Sequence, residues 1–399
     1  MTFLQLALQR AGFSTLKDFQ RAHGLYPSGQ EDVMTMQILE PYFFGFQRHL
    51  IVPGDTYGTL AKKFGTTVQA IAAANPELSP ERLIPGQYLI VPLGFEVVPT
   101  QVPFSSQVLQ VVIQGLLARY PFLTRDVLTT TDYGRPVPCL ICGSGNRIIS
   151  YNASHHANEW ITTPLVLRFL ERYCSAYIRN DTIFSYPAQE LFQRCTLYLV
   201  PMVNPDGVDL VTGAIAEDSF EYRQARNLAE NYPQIPFPDG WKANLNGVDL
   251  NLNYPAGWEQ AREIKFNQGF TLPGPRDFVG NAPLDQPESE AMAALTRKIS
   301  PALTLSYHTQ GQVIYWKYLD IEPEGARAIG EEFARVSGYE LEDTPYASGF
   351  AGYKDWFILT YNRPGYTIEA GIGENPLPLS QFETIYRHNL GILTLGLVV

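Results

Sequence analysis

Residues 156–159, His-Ala-Asn-Glu, lie between two runs of opposite character, and this arrangement narrows what the chain can fold into. Ahead of them, residues 147–151 (Arg-Ile-Ile-Ser-Tyr) read as a buried strand. Behind them, residues 162–173 carry apolar side chains at helical spacing. His156 is thus expected near the carboxyl end of a strand, and Glu159 in the turn that opens a helix. An imidazole nitrogen and a carboxylate oxygen so placed can grip one Zn²⁺ and leave coordination positions open. A catalytic zinc needs a third protein ligand, and His308 is the candidate, because it ends a second apolar run at residues 302–308. Strand ends far apart in sequence meet at the carboxyl edge of one sheet, where open α/β sheets place their sites.

The chain has only six histidines, at positions 23, 49, 155, 156, 308 and 388. His155 would point to the opposite side of an extended strand from His156, so it is read as structural or as a partner behind the ligands. Composition excludes some other classes. Lys plus Arg is 29 against 40 Asp plus Glu, a net charge of −11, which argues against non-specific nucleic-acid binding. The same deficit gives no global steering toward acidic substrates, so carboxylate recognition has to be local. Cys139 and Cys142 form a Cys-x-x-Cys, a metal or redox signal, but they lie in an apolar β-like run with no second pair at zinc-ribbon spacing. With Cys174 and Cys195 they are read as buried thiols.

Residues 156–162 (His-Ala-Asn-Glu-Trp-Ile-Thr) resemble the zinc-binding segment of the zinc carboxypeptidase (carboxypeptidase A-like) family. Residues 203–207 (Val-Asn-Pro-Asp-Gly), 247–254 (Gly-Val-Asp-Leu-Asn-Leu-Asn-Tyr), 306–309 (Ser-Tyr-His-Thr) and 365–369 (Gly-Tyr-Thr-Ile-Glu) are similar to further family segments, in family order. The resemblance implies one Zn²⁺ held by His156, Glu159 and His308, with Glu369 as the general base. Peptide hydrolysis on zinc needs an activated water, a base for its proton and positive charge for the oxyanion. Glu369 lies in an apolar run, where an isolated carboxylate is costly, so a solvated surface role is disfavoured. Lys242 stands where relatives carry the arginine that polarises the scissile carbonyl, and supplies the charge without the bidentate fork.

Leu252 is the decisive departure. Carboxypeptidases that trim a terminal residue clamp its α-carboxylate with an arginine at this position, a contact leucine cannot make. Asn251 beside it still offers a hydrogen bond. Lys242-Ala243-Asn244, residues 274–278 (Gly-Pro-Arg-Asp-Phe), 283–288, 308–311 and 352–357 resemble the γ-D-glutamyl–diamino acid endopeptidases of bacterial cell walls. That resemblance implies cleavage between D-Glu and meso-diaminopimelate or L-Lys in peptidoglycan stem peptides. Arg276, in a Gly/Pro-rich loop, becomes a candidate for binding a substrate carboxylate, and Tyr346 or Tyr353 for the tyrosine of a site-lining loop. Two alternatives stay open: a carboxypeptidase removing C-terminal residues, and a catalytically inactive wall-binding protein.

The first hundred residues read differently. Residues 48–93 run strand, helix, helix, strand, and resemble a LysM domain, a module that binds N-acetylglucosamine-containing glycans. Residues 1–45 resemble a shortened helical peptidoglycan-binding module. Residues 94–104, poor in charge and containing Pro99 and Pro103, are expected to be a linker to a catalytic domain at 105–399. The fold class expected is therefore α/β. A mixed, mostly parallel twisted sheet flanked by helices follows a small βααβ domain and a short helical module. The implied partners are stem peptides and glycan strands. No membrane span is expected, and the amino terminus lacks the basic and apolar regions of a secretory signal. The implied setting is bacterial, at the cell wall or in the cytoplasm during sporulation.

Overall fold

The computed structural model describes residues 1–399, which divide into two compact units. The first comprises residues 1–103, 107–124 and 171–181. It opens with helices Phe3–Arg10, Leu16–Ala22 and Val33–Phe44, packed around Leu8, Phe19 and Leu39. The strands Phe46–Leu50 and Tyr88–Pro92 then pair antiparallel, with Arg48 opposite Ile90. Between them run the helices Tyr57–Phe64 and Val68–Ala74. Local chemistry sets their ends. Thr56 and Thr67 accept N–H bonds at the two N-termini, and Gly65 ends the first helix in the left-handed conformation (φ 64°). Asn75 locks the helical pair to the returning strand: its amide donates to the Ile71 and Ile90 carbonyls and accepts from the Ile90 N–H. Ile51, Leu60, Ile71, Leu89 and Val91 fill the space between.

Residues 94–104 are not the solvated tether expected of a linker. Val97, Val98, Val102 and Phe104 are buried. The N–H groups of Val97 and Val98 both donate to the Glu171 carboxylate, at 2.7 and 3.0 Å. Arg10 donates to the Glu96 and Val97 carbonyls, and Arg119 to those of Phe95 and Leu93. Low charge in this stretch therefore reflects packing.

The second unit, residues 104–106, 125–170 and 182–399, is organised by one sheet of eight strands. Across it the order is Glu340–Glu342, Val313–Tyr315, Gly365–Glu369, Leu303–His308, Arg147–Ala153, Cys195–Val200, Pro136–Gly143 and Thr124–Thr130. The four strands Gly365–Glu369, Leu303–His308, Arg147–Ala153 and Cys195–Val200 are mutually parallel; Val313–Tyr315 and Pro136–Gly143 flank them antiparallel. Leu303–His308 is buried at every position, with Leu303, Leu305 and Tyr307 alternating with the buried polar residues Thr304, Ser306 and His308. The helix Thr162–Arg179 follows the 154–161 loop. Tyr151 donates from its hydroxyl to the Leu393 carbonyl of the helix Phe382–Val398. A second cluster, including Leu250, Tyr254, Met292, Tyr353 and Trp356, packs with Val137 and Cys139 of the sheet. All four cysteines are buried thiols outside any disulfide. No helix is long and apolar enough to cross a membrane.

Candidate active site

Three adjacent parallel strands end at the same edge, and the site is laid across their ends. Glu369 and His308 are cross-strand partners, and Ala153 pairs with Tyr307 one residue before His308. The chain leaves Ala153 through Ser154 in the left-handed conformation (φ 52°) and runs through a 3₁₀ turn, Ala157–Glu159, before the helix begins. The Ser154 hydroxyl is tied to those of Thr162 and Thr163, which fixes both ends of this loop.

This backbone brings His156, Glu159 and His308 together, with ligand-type atoms within 4.8 Å of one another. His156 Nδ1 lies 2.9 Å from Glu159 Oε1, His308 Nδ1 lies 2.9 Å from Glu159 Oε2, and the two Nδ1 atoms are 3.3 Å apart. A tetrahedral zinc with ligands at about 2.0–2.1 Å would separate neighbouring ligand atoms by about 3.3 Å. The donor set, two imidazoles and a carboxylate, is that of catalytic zinc sites. Two imidazole nitrogens facing at that distance turn lone pairs or N–H bonds against each other unless a cation or a single proton lies between them. The residues present therefore fit the metal.

The next layer orients the ligands. Asp249 Oδ1 is 3.1 Å from His156 Nε2, which leaves Nδ1 for the metal. Burial pulls the His156 imidazole toward the neutral form, but the Glu159 and Asp249 carboxylates outweigh it and raise its pKa to about 9. Burial works against Glu159 too, and is overruled by His156 and Lys242, which hold its carboxyl well below the usual range. Lys242 places Nζ 3.1 Å from Glu159 Oε1. His155, fully buried, bonds the Tyr254 hydroxyl at 3.0 Å and stacks on His308 with ring centres 5.8 Å apart. Burial, then the charges of His308 and His156, push its pKa well down, so it backs the site as a neutral ring.

Some organising residues gave no chemical signal in the sequence. The Asn204 amide donates to the carbonyls of His155, Lys242 and Ala243, and the Ala157 N–H donates to the Lys242 carbonyl. One side chain thus crosslinks the ligand loop to the segment carrying Lys242. Asn375 donates to the Thr309 carbonyl, accepts from the Thr309 hydroxyl, and sits 3.5 Å from Glu159 Oε1. Asn204 had a trace in the Val-Asn-Pro-Asp-Gly match; Asn375 had none.

A cleft of about 240 Å³ opens beside His156. Lys242, Asn251, Leu252, Arg276 and Glu369 all line it. Burial, reinforced by the charge of Glu159, pushes the Glu369 carboxyl up to about 8, against the pull of Lys242 and His156. Asn251 accepts the Tyr353 N–H. Arg276 places Nε 2.6 Å from Asp277, with its side chain 40% exposed. The two tyrosines separate clearly. Tyr353 is buried with its hydroxyl on Thr296, whereas Tyr346 is 65% exposed on a 3₁₀ turn between Pro345 and Ser348, both of which line the cleft. Asp277, Lys354 and Asp355 also line it, from the 274–278 and 352–357 segments, as does Lys265, which lies outside every segment read from the sequence.

Residues 109–390 match the zinc carboxypeptidase family profile, and residues 49–92 match the LysM domain profile. The chain is 46% identical over 286 residues to gamma-D-glutamyl-L-diamino acid endopeptidase 1 of Lysinibacillus sphaericus, covering 71% of this chain and 70% of that one. It is 38% identical over 292 residues to uncharacterized protein YqgT of Bacillus subtilis, covering 73% and 76%. Among solved structures, the carboxypeptidase A of Helicoverpa armigera superposes with a TM-score of 0.55 at 19% identity, covering 82% of this chain and 78% of that one. Bovine thrombin-activatable fibrinolysis inhibitor, solved with a tick carboxypeptidase inhibitor, gives the same TM-score at 18% identity, covering 73% and 95%. These two show the fold. With the ligand geometry and the profile match together, the chain belongs to the zinc carboxypeptidase family, as a zinc metallopeptidase domain accompanied by a LysM domain.

Proposed function

We propose that this protein hydrolyses the γ-D-glutamyl bond to the diamino acid in peptidoglycan stem peptides. The observation that carries the reading is the cleft wall at Leu252. This residue is 8% exposed and packed into an apolar cluster, so no cation stands where a terminal-residue carboxypeptidase would clamp an α-carboxylate. Position 252 itself therefore offers a carboxylate no partner, and any partner has to come from another element of the cleft. Arg276 lines the same cleft from another loop, which supports recognition of a carboxylate in a different place. The activity named for the L. sphaericus relative supports the same assignment.

His156, Glu159 and His308 would hold a zinc ion, which when bound would supply Lewis-acid charge for a water and for the scissile oxygen. Glu369 takes the proton of the attacking water and passes it to the leaving amine. Lys242 places an ammonium beside the scissile carbonyl, held in position by Glu159. Asn251 offers its amide to a polar group of the substrate, Arg276 pairs with a carboxylate, and Tyr346 closes over the cleft from its exposed turn. The LysM domain places the enzyme at the wall by holding N-acetylglucosamine-containing strands.

Lys242→Ala should retain zinc, because Lys242 is not a ligand, and lower kcat about a hundredfold, the usual loss for one oxyanion donor. Kinetics beside metal analysis of the same preparation checks this; normal kcat would remove Lys242 from the chemistry. The function itself is tested by mass spectrometry of defined muropeptides after incubation. Release of the dipeptide L-Ala-D-Glu from stem tripeptide or tetrapeptide is expected, with little action on blocked dipeptide substrates of ordinary carboxypeptidases. Trimming of ordinary C-terminal residues with γ-D-Glu bonds left intact would overturn the assignment.

A further inference from the structure

Lys265 belongs to the helix Trp258–Asn267, away from every sequence motif of the catalytic site. Its residue is only 9% exposed, yet it lines the cleft. Its ammonium meets one protein acceptor, Asp277 Oδ1 at 2.6 Å, and an ammonium has three N–H bonds to place. The other oxygen of Asp277 takes Arg276 Nε, also at 2.6 Å. Asp277 is itself fixed: its backbone is left-handed (φ 65°), and its N–H donates to Asp249 Oδ2 at 3.3 Å. Arg276 and Asp277 follow Pro275, whose carbonyl accepts the N–H groups of Lys242 and Ala243. The pair is thus mounted on the segment that carries Lys242 and on the carboxylate that orients His156.

Two cations share the Asp277 carboxylate here, with Asp249 as the next carboxylate behind it, and each cation keeps N–H bonds that no protein acceptor takes. A buried cation without full compensation is costly, and it is retained at low cost only where an anion arrives to complete it. The guanidinium adds unused N–H bonds in a planar fork suited to a carboxylate.

We propose that Lys265 and Arg276, both held by Asp277, form a preformed pocket for one carboxylate of the substrate. The proposal rests on the γ-D-glutamyl reading above and deepens it by adding Lys265 as a binding residue. A stem tripeptide brings three such groups: the α-carboxylate of D-Glu, and the α- and side-chain carboxylates of meso-diaminopimelate. The pocket binds one of them.

The test is steady-state kinetics of full-length protein on L-Ala-γ-D-Glu-meso-diaminopimelate and three counterparts that each lack one carboxylate. Two counterparts carry a carboxamide in place of one α-carboxylate, and the third replaces the diamino acid by L-Lys. Lys265→Met should raise KM on the parent about tenfold to a hundredfold, as for a lost bond to a charged group, and change kcat little. One counterpart should be as poor for the wild type, and Lys265→Met should cost nothing further on it; that counterpart names the carboxylate bound. A Lys265 that only braced Asp277 would give equal losses on all four substrates, and this result overturns the proposal, as does an unchanged KM. If Lys265→Met does not fold, by zinc content and thermal melting, Arg276→Gln at the half-buried position carries the same comparison. It should show the same substrate-selective loss, and uniform losses overturn the proposal equally. Failure of the wild type to release L-Ala-D-Glu is a separate outcome that removes the γ-D-glutamyl reading and this pocket with it.

Discussion

Replacing Glu369 by glutamine should leave a folded protein that binds one zinc and has lost at least about a hundredfold in kcat, the contribution of a positioned acid–base group. The change is nearly isosteric, and no ligand atom is touched. Glu369 is anchored by its backbone, paired across the sheet with His308, and the Gln312 N–H donates to its carbonyl. The carboxylate is therefore delivered by the strand, and glutamine would occupy the same volume without a site for the proton. Its surroundings raise its affinity for that proton, burial first and the Glu159 charge second, which suits a base that must hold a proton and then give it up. Metal analysis, melting temperature and turnover of a defined muropeptide, measured on one preparation, check the expectation. Near-normal kcat would exclude Glu369 from the mechanism.

The second large effect is on the metal. His308→Ala should lose most of its zinc on dialysis, and with it detectable turnover, because two remaining ligands do not hold zinc tightly against water. The loss reaches beyond one donor. Glu159 would keep its charge in a site where it is 1% exposed, with His308 gone from Oε2 and only the Thr309 N–H remaining there. An under-paired buried carboxylate is expensive, so a lower melting temperature should accompany the lost metal. The measurement is zinc per chain, with His156→Ala in parallel. Full zinc occupancy in His308→Ala would defeat the ligand assignment.

Much of the sheet was legible because its strands have two buried faces. Residues 147–151 and 302–308 carry no acidic side chain and no Gly or Pro, place Ile, Leu and Tyr among small hydroxyls, and each ends where the chemistry starts. The βααβ pattern of residues 48–93 was legible from helical spacing between two short apolar strands and from Gly65, whereas the threonine caps show only in the structure. The packing of residues 94–104 was not, because it depends on Arg10, Arg119 and Glu171, distant in sequence and individually ordinary. For the site, residue type was the signal. His, Glu and the loop Arg drew attention, whereas Asn204 and Asn375 work by bridging backbone carbonyls, which any buried asparagine can do. Lys265 was invisible for a related reason: on a helix, a lysine reads as a solvated face until the fold turns it inward. Strand alternation set His155 apart from the ligands in the sequence, but the strand ends at Ala153 and His155 lies in the loop beyond it, stacked on His308.

The register that places Glu369 opposite His308 also bears on how activity fails with heat. The proposed base and one metal ligand face each other across a single rung of the ladder between two central strands of an eight-strand sheet, and the remaining ligands sit on a loop pinned at both ends by Ser154, Thr162 and Thr163. Central strands open only with the whole domain, whereas edges and loop tips fray first. Softening at the periphery then leaves the distance between base and metal ligand unchanged. Thermal inactivation and cooperative melting of the sheet become one event, and a preparation that has kept its fold has kept its catalytic spacing.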